Sequence, residues 1–388
     1  MKIRSSVVGL VTLSLLLTGC RDSESTGSGP GQALLPSLEG TDGCNGAAQS
    51  FSPGQVLTNV PLGTWVGDNF SQMAGARGGE LLCLSGAAAT VVEVDLTGGG
   101  VPLETVLVNP GVVQAVVDPL AIGPTPILSG LAVLDSDTLA VMEHNYNVIL
   151  LVSRSVPDTV TILAGLPNTV PGLADGPGAL ARFSFGTPSQ LVATGNGELF
   201  VADSANHVIR RVRDDIVTTL AGSGAPFFAD GDLGSSLFDT PSGLSVTCAG
   251  NLLVTELGIG AAGGHRVREI QIGVESFFGQ LGTVSTLAGD GTTATTDGLG
   301  ILAQVDTPMG IVTSATGEAY WVDAGSGVLR RWNPGSDAVD CPLWTDCAAA
   351  VTGLGNFTQG GVVSLVSSDG GILYALDTGA GQLLRVTP

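Results

Sequence analysis

The sequence predicts an all-β protein, specifically a six-bladed β-propeller with four antiparallel strands in each blade. A turn followed by a strand-like run recurs in six copies about every 58 residues. Further apolar runs follow each copy, separated by Gly, Asn or Asp turns, and helical periodicity is absent after the first twenty residues. Blades of short strands bury their faces only against neighbouring blades, which favours a closed ring. The six copies read GELLCLSG (79–86), DTLAVMEH (137–144), GELFVADS (197–204), GNLLVTEL (250–257), GEAYWVDA (317–324) and GILYALDT (371–378).

Three connecting loops also repeat, each with an Ala-Gly pair, then an Asp-Gly pair, then a proline. The Asp-Gly pairs begin at Asp175, Asp230 and Asp297. We expect these loops to join one blade to the next, on the rim that also carries the turns between the second and third strands. The repetition of the Asp-Gly pairs favours a structural role in the turns, with ligand binding as the alternative. Loops on a rigid scaffold often carry function, so if the protein has a ligand face, this rim is the candidate.

The last copy ends at Val386 without a fourth strand. Residues 54–60, GQVLTNV, form a strand-like run that precedes the first copy. We predict that this N-terminal strand completes the last blade and closes the ring, so that the propeller spans residues 54–388.

The N-terminus carries the pattern of a secretion signal. Lys2 and Arg4 precede an apolar core that is too short for a comfortable membrane span, and the stretch ends in Leu17-Thr18-Gly19-Cys20. This ending resembles a bacterial lipobox, which implies a lipoprotein signal peptide over 1–19 and acylation of Cys20. Residues 20–53 are rich in Ser, Gly, Pro and acidic side chains and predict a flexible tether. We therefore expect a lipid-anchored protein of the bacterial cell envelope, at the outer membrane or cell surface.

The charge of the chain excludes several classes of function. The formal net charge is -21, and the only lysine, Lys2, lies in the predicted signal peptide. A mature chain without lysine has no Schiff-base nucleophile and no P-loop. Nucleic acids and anionic lipid heads require a basic patch, so the expected contact with membrane is through the lipid anchor alone.

The third copy, GELFVADSANHVIRRV (197–212), resembles the NHL repeat, with Asn206-His207-Val208 at its core. The resemblance is strong in copies three to five and faint in the others. Copy four departs from it by an insertion around GIGAAGGHR and VESFFGQLG. We expect this insertion on the same rim as the Asp-Gly loops. The resemblance implies a six-bladed ring that serves as a binding platform. Some relatives are enzymes, including a zinc-dependent amidating lyase and lactonase-like hydrolases.

An acidic residue recurs where the second strand of a copy ends. It is Asp203 in the third copy, and five of the six copies carry one. Such recurrence favours a structural role, in which the carboxylate caps the turn or pairs with Arg210 or Arg330. The alternative is a ring of carboxylates for a cation or polar ligand. The counterparts of Asp203 are Glu143, Glu256, Asp323 and Asp377.

Arg182 stands beside Phe183, a combination that differs from the equivalent positions of the other loops. An arginine beside an aromatic residue is common in recognition surfaces, although Phe183 could instead fill the gap between blades. The candidate ligand face accordingly consists of Asp175, Arg182, Asp203, Asp230 and Asp297.

A cofactor is not expected, with zinc or calcium as the alternatives. A zinc site needs three or four converging ligands. The chain has three histidines, and only His207 and His265 occupy matching repeat positions, with His144 offset from them. A GxGxxG pattern begins at Gly258, but a strand follows it where a dinucleotide site requires a helix.

Cysteines suggest an oxidising compartment. Cys341 and Cys347 flank a short loop and are the candidate disulfide. Cys83 lies in a predicted blade strand, and Cys44 and Cys248 could pair, but the sequence leaves the pairing of these three open.

These observations lead to one expected function and two rivals. We expect a non-catalytic platform that binds or scaffolds a protein or a glycan. The first rival is a metal-dependent lyase or hydrolase of the amidating-lyase or lactonase-like type. The second is a purely structural component of the envelope.

Overall fold

Antiparallel strands make up nearly all the regular structure of the described chain. The structure is a computed structural model, and every residue that it describes belongs to the compact unit Ser37–Pro388. The predicted all-β class is confirmed for this part of the chain. The described residues are 57–60, 70–75, 80–85, 89–95, 103–109, 111–167, 170–186, 188–258, 264–276, 279–314, 316–342, 363–367, 373–379 and 382–386.

The strands form six antiparallel sheets. The first described strand, β1 (Leu57–Val60), belongs to the last of them. Sheet 1 contains β2 (Phe70–Gly75), β3 (Glu80–Ser85), β4 (Thr90–Asp95) and β5 (Leu103–Val108). Sheet 2 contains β6 (Leu128–Val133), β7 (Thr138–Glu143), β8 (Val148–Ser153) and β9 (Val160–Ala164). Sheet 3 contains β10 (Gly176–Pro177), β11 (Leu191–Ala193), β12 (Leu199–Asp203), β13 (Val208–Arg213) and β14 (Ile216–Ala221).

The remaining sheets follow the same order. Sheet 4 contains β15 (Gly231–Asp232), β16 (Pro241–Val246), β17 (Leu252–Glu256), β18 (Arg266–Ser276) and β19 (Gly279–Ala288). Sheet 5 contains β20 (Gly298–Leu299), β21 (Pro308–Thr313), β22 (Ala319–Asp323), β23 (Val328–Asn333) and β24 (Ala338–Asp340). Sheet 6 contains β25 (Val363–Ser367), β26 (Leu373–Asp377) and β27 (Gln382–Val386), together with β1.

Local sequence explains these strands well. β12 reads Leu-Phe-Val-Ala-Asp and is buried along its whole length, as expected of a strand covered on both faces. The turns between the first two main strands of sheets 3, 4 and 5 place Gly197, Gly250 and Gly317 at φ of 82°, 81° and 85°. Glycine adopts this left-handed conformation without steric penalty, so the recurring glycine sets the position of each turn.

The hydrophobic core lies in the seams between neighbouring sheets. Separate clusters of buried side chains join sheets 1 and 2, sheets 2 and 3, sheets 3 and 4, and sheets 4 and 5. The innermost strands β2, β6, β11, β16, β21 and β25 contact one another in that order, and β25 also contacts β2. The arrangement is propeller-like, because each sheet is stabilised by its neighbours rather than by a facing layer.

The first and last described strands lie side by side. β1 pairs antiparallel with β27, with Leu57 opposite Val386 and Val60 opposite Leu383. The strand occupies Leu57–Val60 within the predicted segment 54–60, whose first three residues lie outside the described part.

The described residues include four short helices that were not predicted. A six-residue helix, α1 (Val112–Val117), connects sheets 1 and 2. Its valine-rich sequence is typical of a strand, but Val113 and Val117 lie one helical turn apart and are both buried in the seam. One-turn 3-10 helices also occur, at Gly178–Leu180, Ser204–Asn206 and Gly300–Leu302.

The Asp-Gly loops also contain short strands that were not predicted. Their Gly residues begin the two-residue strands β10, β15 and β20, which pair with β14, β19 and β24 at the outer edges of sheets 3, 4 and 5. Each connection therefore runs along the edge of the sheet that it enters. In the part of the chain that the structure describes, no helix has the length and apolarity needed to cross a membrane.

Candidate functional site

A buried arginine on the third main strand of sheet 3 holds two carboxylates together. Arg210 Nη1 donates to Asp203 Oδ2 at 2.9 Å, and Arg210 Nη2 donates to Asp175 Oδ1 at 2.8 Å. The same guanidinium donates to the carbonyl oxygens of Arg182 and Ala174, each at 2.9 Å. Asp203 ends β12, whereas Asp175 belongs to the connection from sheet 2. We call this arrangement an arginine clamp, because one side chain fastens the connection to the sheet.

The clamp recurs in sheet 4. Arg268 Nη1 lies 3.1 Å from both carboxylate oxygens of Glu256, and Arg268 Nη2 lies 2.6 Å from Asp230 Oδ1. The backbone N–H and the hydroxyl of Thr286 on β19 also donate to Asp230, each at 3.1 Å. Thr219 on β14 makes the same pair of bonds to Asp175, at 3.0 Å each.

The clamp of sheet 5 has the same members in a looser form. Arg330 Nη1 donates to Asp323 Oδ2 at 2.8 Å, and Arg330 Nη2 lies 3.4 Å from Asp297 Oδ1. The indole N–H of Trp321 donates to the other oxygen of Asp323 at 2.9 Å. Three sheets therefore use one solution to attach the preceding connection.

Each clamp has a buried inner carboxylate and a half-exposed outer one. The side chains of Asp203, Glu256 and Asp323 are fully buried, and so are the three arginines. Burial raises the pKa of Asp203 and of Asp323 to about 6 and that of Glu256 to about 7, while the neighbouring guanidinium acts in the opposite direction. A clamp that lost its arginine would retain a buried acid without its main counter-charge.

The predicted ligand-face residues thus fall into different environments. Asp203 cannot form part of an open ligand surface, because its side chain is fully enclosed in the clamp. Asp175, Asp230 and Asp297 keep 49%, 43% and 43% of their side chains exposed. Their outward edges remain accessible although their inner oxygens bind arginine.

The side chains of Arg182 and Phe183 lie in different environments and do not form a joint surface. Neighbouring residues on an extended segment face opposite sides. Phe183 is 1% exposed and lies under the guanidinium of Arg210, whose Cζ is 5.0 Å from the ring centroid. Phe183 therefore fills the seam, whereas the half-buried Arg182 side chain lies along Gly172. Within the described residues, the Arg182 guanidinium forms no ion pair, unlike the arginine of each clamp.

The sequence carries a signal for all three clamps. The recurring acid predicts a pair with Arg210 or Arg330, and this prediction misses Arg268. It occupies the same place in its copy, two positions into the third main strand. A recurring buried-strand arginine, aligned with a recurring acid, is the signal that would have identified all three clamps.

Two of the histidines connect consecutive sheets. His207 Nδ1 accepts a hydrogen bond from the backbone N–H of Thr240 at 3.2 Å, and His265 Nδ1 accepts one from Thr307 at 3.1 Å. Both histidines have left-handed backbones, at φ of 56° and 54°. Burial lowers the pKa of each, so the neutral imidazole that this bond requires is favoured.

Sheet 2 carries an asparagine at the same place. Asn147 has φ of 55°, and its Oδ1 accepts the backbone N–H of Phe185 at 2.9 Å. His144 lies three residues earlier in that turn, where burial lowers its pKa. Across the described residues, no three His, Cys, Asp or Glu side chains are grouped so that they could hold a metal ion.

Cys248 and Cys341 are each disulfide-bonded. Cys347, the predicted partner of Cys341, lies outside the described residues, as do Cys20 and Cys44, so these assignments stay predictions. Cys83 lies on β3, in agreement with its predicted place in a blade strand.

The insertion of the fourth copy does not lie wholly on one rim. We name the ends of the sheets by their turns: the loop rim carries the turns after Asp203, Glu256 and Asp323, and the hairpin rim carries those at Gly197 and Gly250. Part of the insertion, residues 259–263, comes after β17 in the sequence and is outside the described residues. The rest lengthens β18 and β19 at the opposite, hairpin rim. The expectation that the whole insertion belongs to the loop rim is therefore wrong, because a longer hairpin grows at its turn.

No protein-family model matches the chain, and no curated protein sequence matches it either. Solved structures are similar in fold. An auxiliary nutrient binding protein from Bacteroides thetaiotaomicron VPI-5482 has a TM-score of 0.51 at 11% identity, over 89% of this chain and 75% of that one. The calcium-binding protein regucalcin from Agrobacterium tumefaciens has a TM-score of 0.51 at 11% identity, over 87% and 95%.

Virginiamycin B lyase from Staphylococcus aureus is also similar, with a TM-score of 0.50 at 12% identity over 86% of this chain and 99% of the lyase. These likenesses support a propeller fold. Their names cover a binding protein, a calcium-binding protein and an enzyme, so the fold by itself selects none of these activities.

Proposed function

We propose that this chain is a lipid-anchored, non-catalytic platform of the bacterial cell envelope that binds or scaffolds a protein or a glycan through its loop rim. The observation that carries the proposal is the threefold repetition of the arginine clamp. Each clamp fixes a connection to a sheet and leaves the outward edge of Asp175, Asp230 or Asp297 exposed. A surface that is rigid before binding loses little entropy when it binds, which favours recognition.

The six sheets are, in this proposal, the blades of one six-bladed ring within residues 54–388. The cyclic contacts of the innermost strands support this count. The pairing of β1 with β27 supports closure, because a strand from the start of the chain then covers the open edge of the last blade.

Arg182 is the proposed contact residue of the loop rim. Its guanidinium makes no ion pair in the described part of the chain, so it can pair with a ligand carboxylate or donate a hydrogen bond to a ligand hydroxyl oxygen. A planar guanidinium with five donors suits both ligand classes.

Site-specific photo-crosslinking of the full chain tests the choice of face. A photoreactive residue replaces Leu173 in one variant, because Leu173 is 47% exposed and follows Gly172, which the Arg182 side chain contacts. It replaces Asp214 in the control, since Asp214 is 90% exposed and lies in the turn between β13 and β14 on the hairpin rim. We expect crosslinks to a partner from the Leu173 variant. Crosslinks from the Asp214 variant alone would show that the loop rim is the wrong face, and stoichiometric zinc or calcium in the purified protein would argue against a non-catalytic platform.

The anchor is tested separately. Cys20→Ala removes the predicted acylation site, so the protein should leave the detergent phase on partitioning. Unchanged partitioning of the Cys20→Ala protein would contradict the lipoprotein assignment without affecting the crosslinking result.

A further inference from the structure

A cleft lies between sheets 3 and 4 at the hairpin rim, on the face opposite Arg182. Its volume is about 400 Å³, within the range of small-molecule sites. One wall is the turn between β11 and β12, and the other is the turn between β16 and β17, where Cys248 is disulfide-bonded. The lengthened β18 contributes Ile272 to the lining.

The lengthened hairpin of sheet 4 leans onto sheet 3 beside this cleft. Gln280 on β19 accepts a hydrogen bond from Arg211 Nη1 at 3.2 Å, and Glu275 on β18 accepts one from Arg213 Nη1 at 3.2 Å. β18 and β19 are the longest described strands, and they depart from the repeat at the place where the cleft forms. The cleft is thus a local elaboration of an otherwise repeated framework.

An ion pair with spare hydrogen-bonding capacity lies in the lining. Arg211 Nη2 donates to Glu198 Oε1 at 2.5 Å, and the two side chains are 13% and 12% exposed. Arg331 is the matching arginine of sheet 5, and there Asp340 of the neighbouring strand takes both its Nε and its Nη2, at 2.9 and 2.6 Å. In sheet 3 the residue opposite Arg211 is Thr218, which provides no carboxylate.

The polar groups of the cleft set the chemistry of what could bind. Arginine offers only donors, ionised glutamate offers only acceptors, and the hydroxyl and amide side chains of Thr194, Asn196 and Thr247 offer both. Glu198 balances the charge of Arg211 and also lies 3.3 Å from Arg213 Nε, and among the described residues Arg211 and Glu198 are the only ionisable side chains of the lining. A charged ligand would satisfy one member of the pair and be repelled by the other, and the net charge of -21 further disfavours an anion. A neutral ligand with many hydroxyl groups matches donors and acceptors together.

We propose that this cleft binds one end of a neutral glycan, with Arg211 donating to ligand oxygens and Glu198 and Asn196 accepting from ligand hydroxyls. Val246 and Ile272 supply apolar area for the C–H face of a sugar ring. This inference rests on the proposed binding function and adds to it a second surface and a ligand class.

The test uses the full chain on an immobilised panel of neutral and acidic oligosaccharides, followed by isothermal titration of the strongest neutral binder. Ala249→Trp places a large ring in the cleft at an exposed turn position. Asn196→Ala removes an amide at the matching position of the other wall. We expect either change to weaken binding at least about tenfold, a loss of about 1.4 kcal/mol.

Thr316→Trp is the matched control, because Thr316 precedes Gly317 in sheet 5 as Ala249 precedes Gly250 in sheet 4, and both are exposed. It should bind within twofold of the parent. If Ala249→Trp does not fold, Asn196→Ala decides. Binding of acidic oligosaccharides alone, or a neutral glycan whose affinity both cleft variants leave unchanged, would overturn the inference. A protein partner crosslinked at Leu173 with no neutral glycan bound would overturn it too, while the proposed function would stand.

Discussion

The arginine clamp of sheet 3 predicts a large loss of stability from one substitution. Arg210→Met removes a fully buried guanidinium that donates to Asp203, Asp175 and two backbone carbonyls. Among the described residues, Asp203 would keep its bonds from the Ser184 N–H and the Asn206 amide. Breaking a buried pair by removing one partner typically costs about 3–5 kcal/mol. For a domain of this size, the melting temperature should fall on the order of 10 °C.

Thermal and urea unfolding by circular dichroism measure the effect. Arg213→Met is the control, because Arg213 is half exposed, its partners Asp214 and Glu275 are 90% and 63% exposed, and its third partner, Glu198, keeps Arg211. That change should cost no more than about 1 kcal/mol. The double variant Arg210→Met with Asp203→Asn should recover part of the loss, because no buried charge then remains without a counter-charge.

The sign of the pH dependence follows from burial. Burial already raises the pKa of Asp203 to about 6, and removal of Arg210 raises it further. A folded pKa above the unfolded value gives stability that is present at low pH and is lost as the pH rises through the folded pKa. Arg210→Met should therefore lose less stability at pH 5 than at pH 8. The reasoning is refuted if Arg210→Met melts within about 2 °C of the parent, or if the double variant is no more stable than the single one.

Three further changes test other parts of the fold. Deletion of residues 54–60 removes β1 and leaves β27 with an open edge, so the melting temperature should fall or the protein should aggregate. If the truncated protein melts like the parent, the closing strand lies elsewhere. The parent should lose stability as the pH falls below the usual histidine range, because burial lowers the pKa of His207 and His265. His207→Asn should lose less stability over this range, since its amide oxygen can accept the Thr240 N–H as Asn147 accepts that of Phe185. Equal losses of stability from pH 7 to 5 in the parent and the variant would contradict this role. Gly250→Ala should destabilise by about 1 kcal/mol in urea unfolding, because a Cβ is strained at φ of 81°, and an unchanged midpoint would argue against the turn.

The repeat in the sequence predicted most of the fold. The β-strands recur with glycine turns at Gly197, Gly250 and Gly317 because every sheet has the same hydrogen-bonding geometry and the same two covered faces. Where a segment departs from the repeat, the same reasoning failed. The valines of α1 have strand propensity, and only their burial at helical spacing in the seam of sheets 1 and 2 selects a helix.

The site was less predictable than the fold. Repetition favours a structural role for Asp203, but the sequence cannot show that Asp203 and Asp175, which belong to different elements, share Arg210. Likewise, Arg182 and Phe183 are adjacent in sequence, yet the alternation of an extended segment places them on opposite sides.

The sequence by itself determined the strand order, the turns and the all-β class, because these depend on local residue patterns that each copy repeats. Tertiary structure decided which carboxylates are buried, how the Asp-Gly loops run along the outer sheet edges, and where the lengthened hairpin β18–β19 forms a cleft with sheet 3. These features depend on the distance between sheets and on the exclusion of water from their seams, and neither quantity is encoded in the pattern of a single strand.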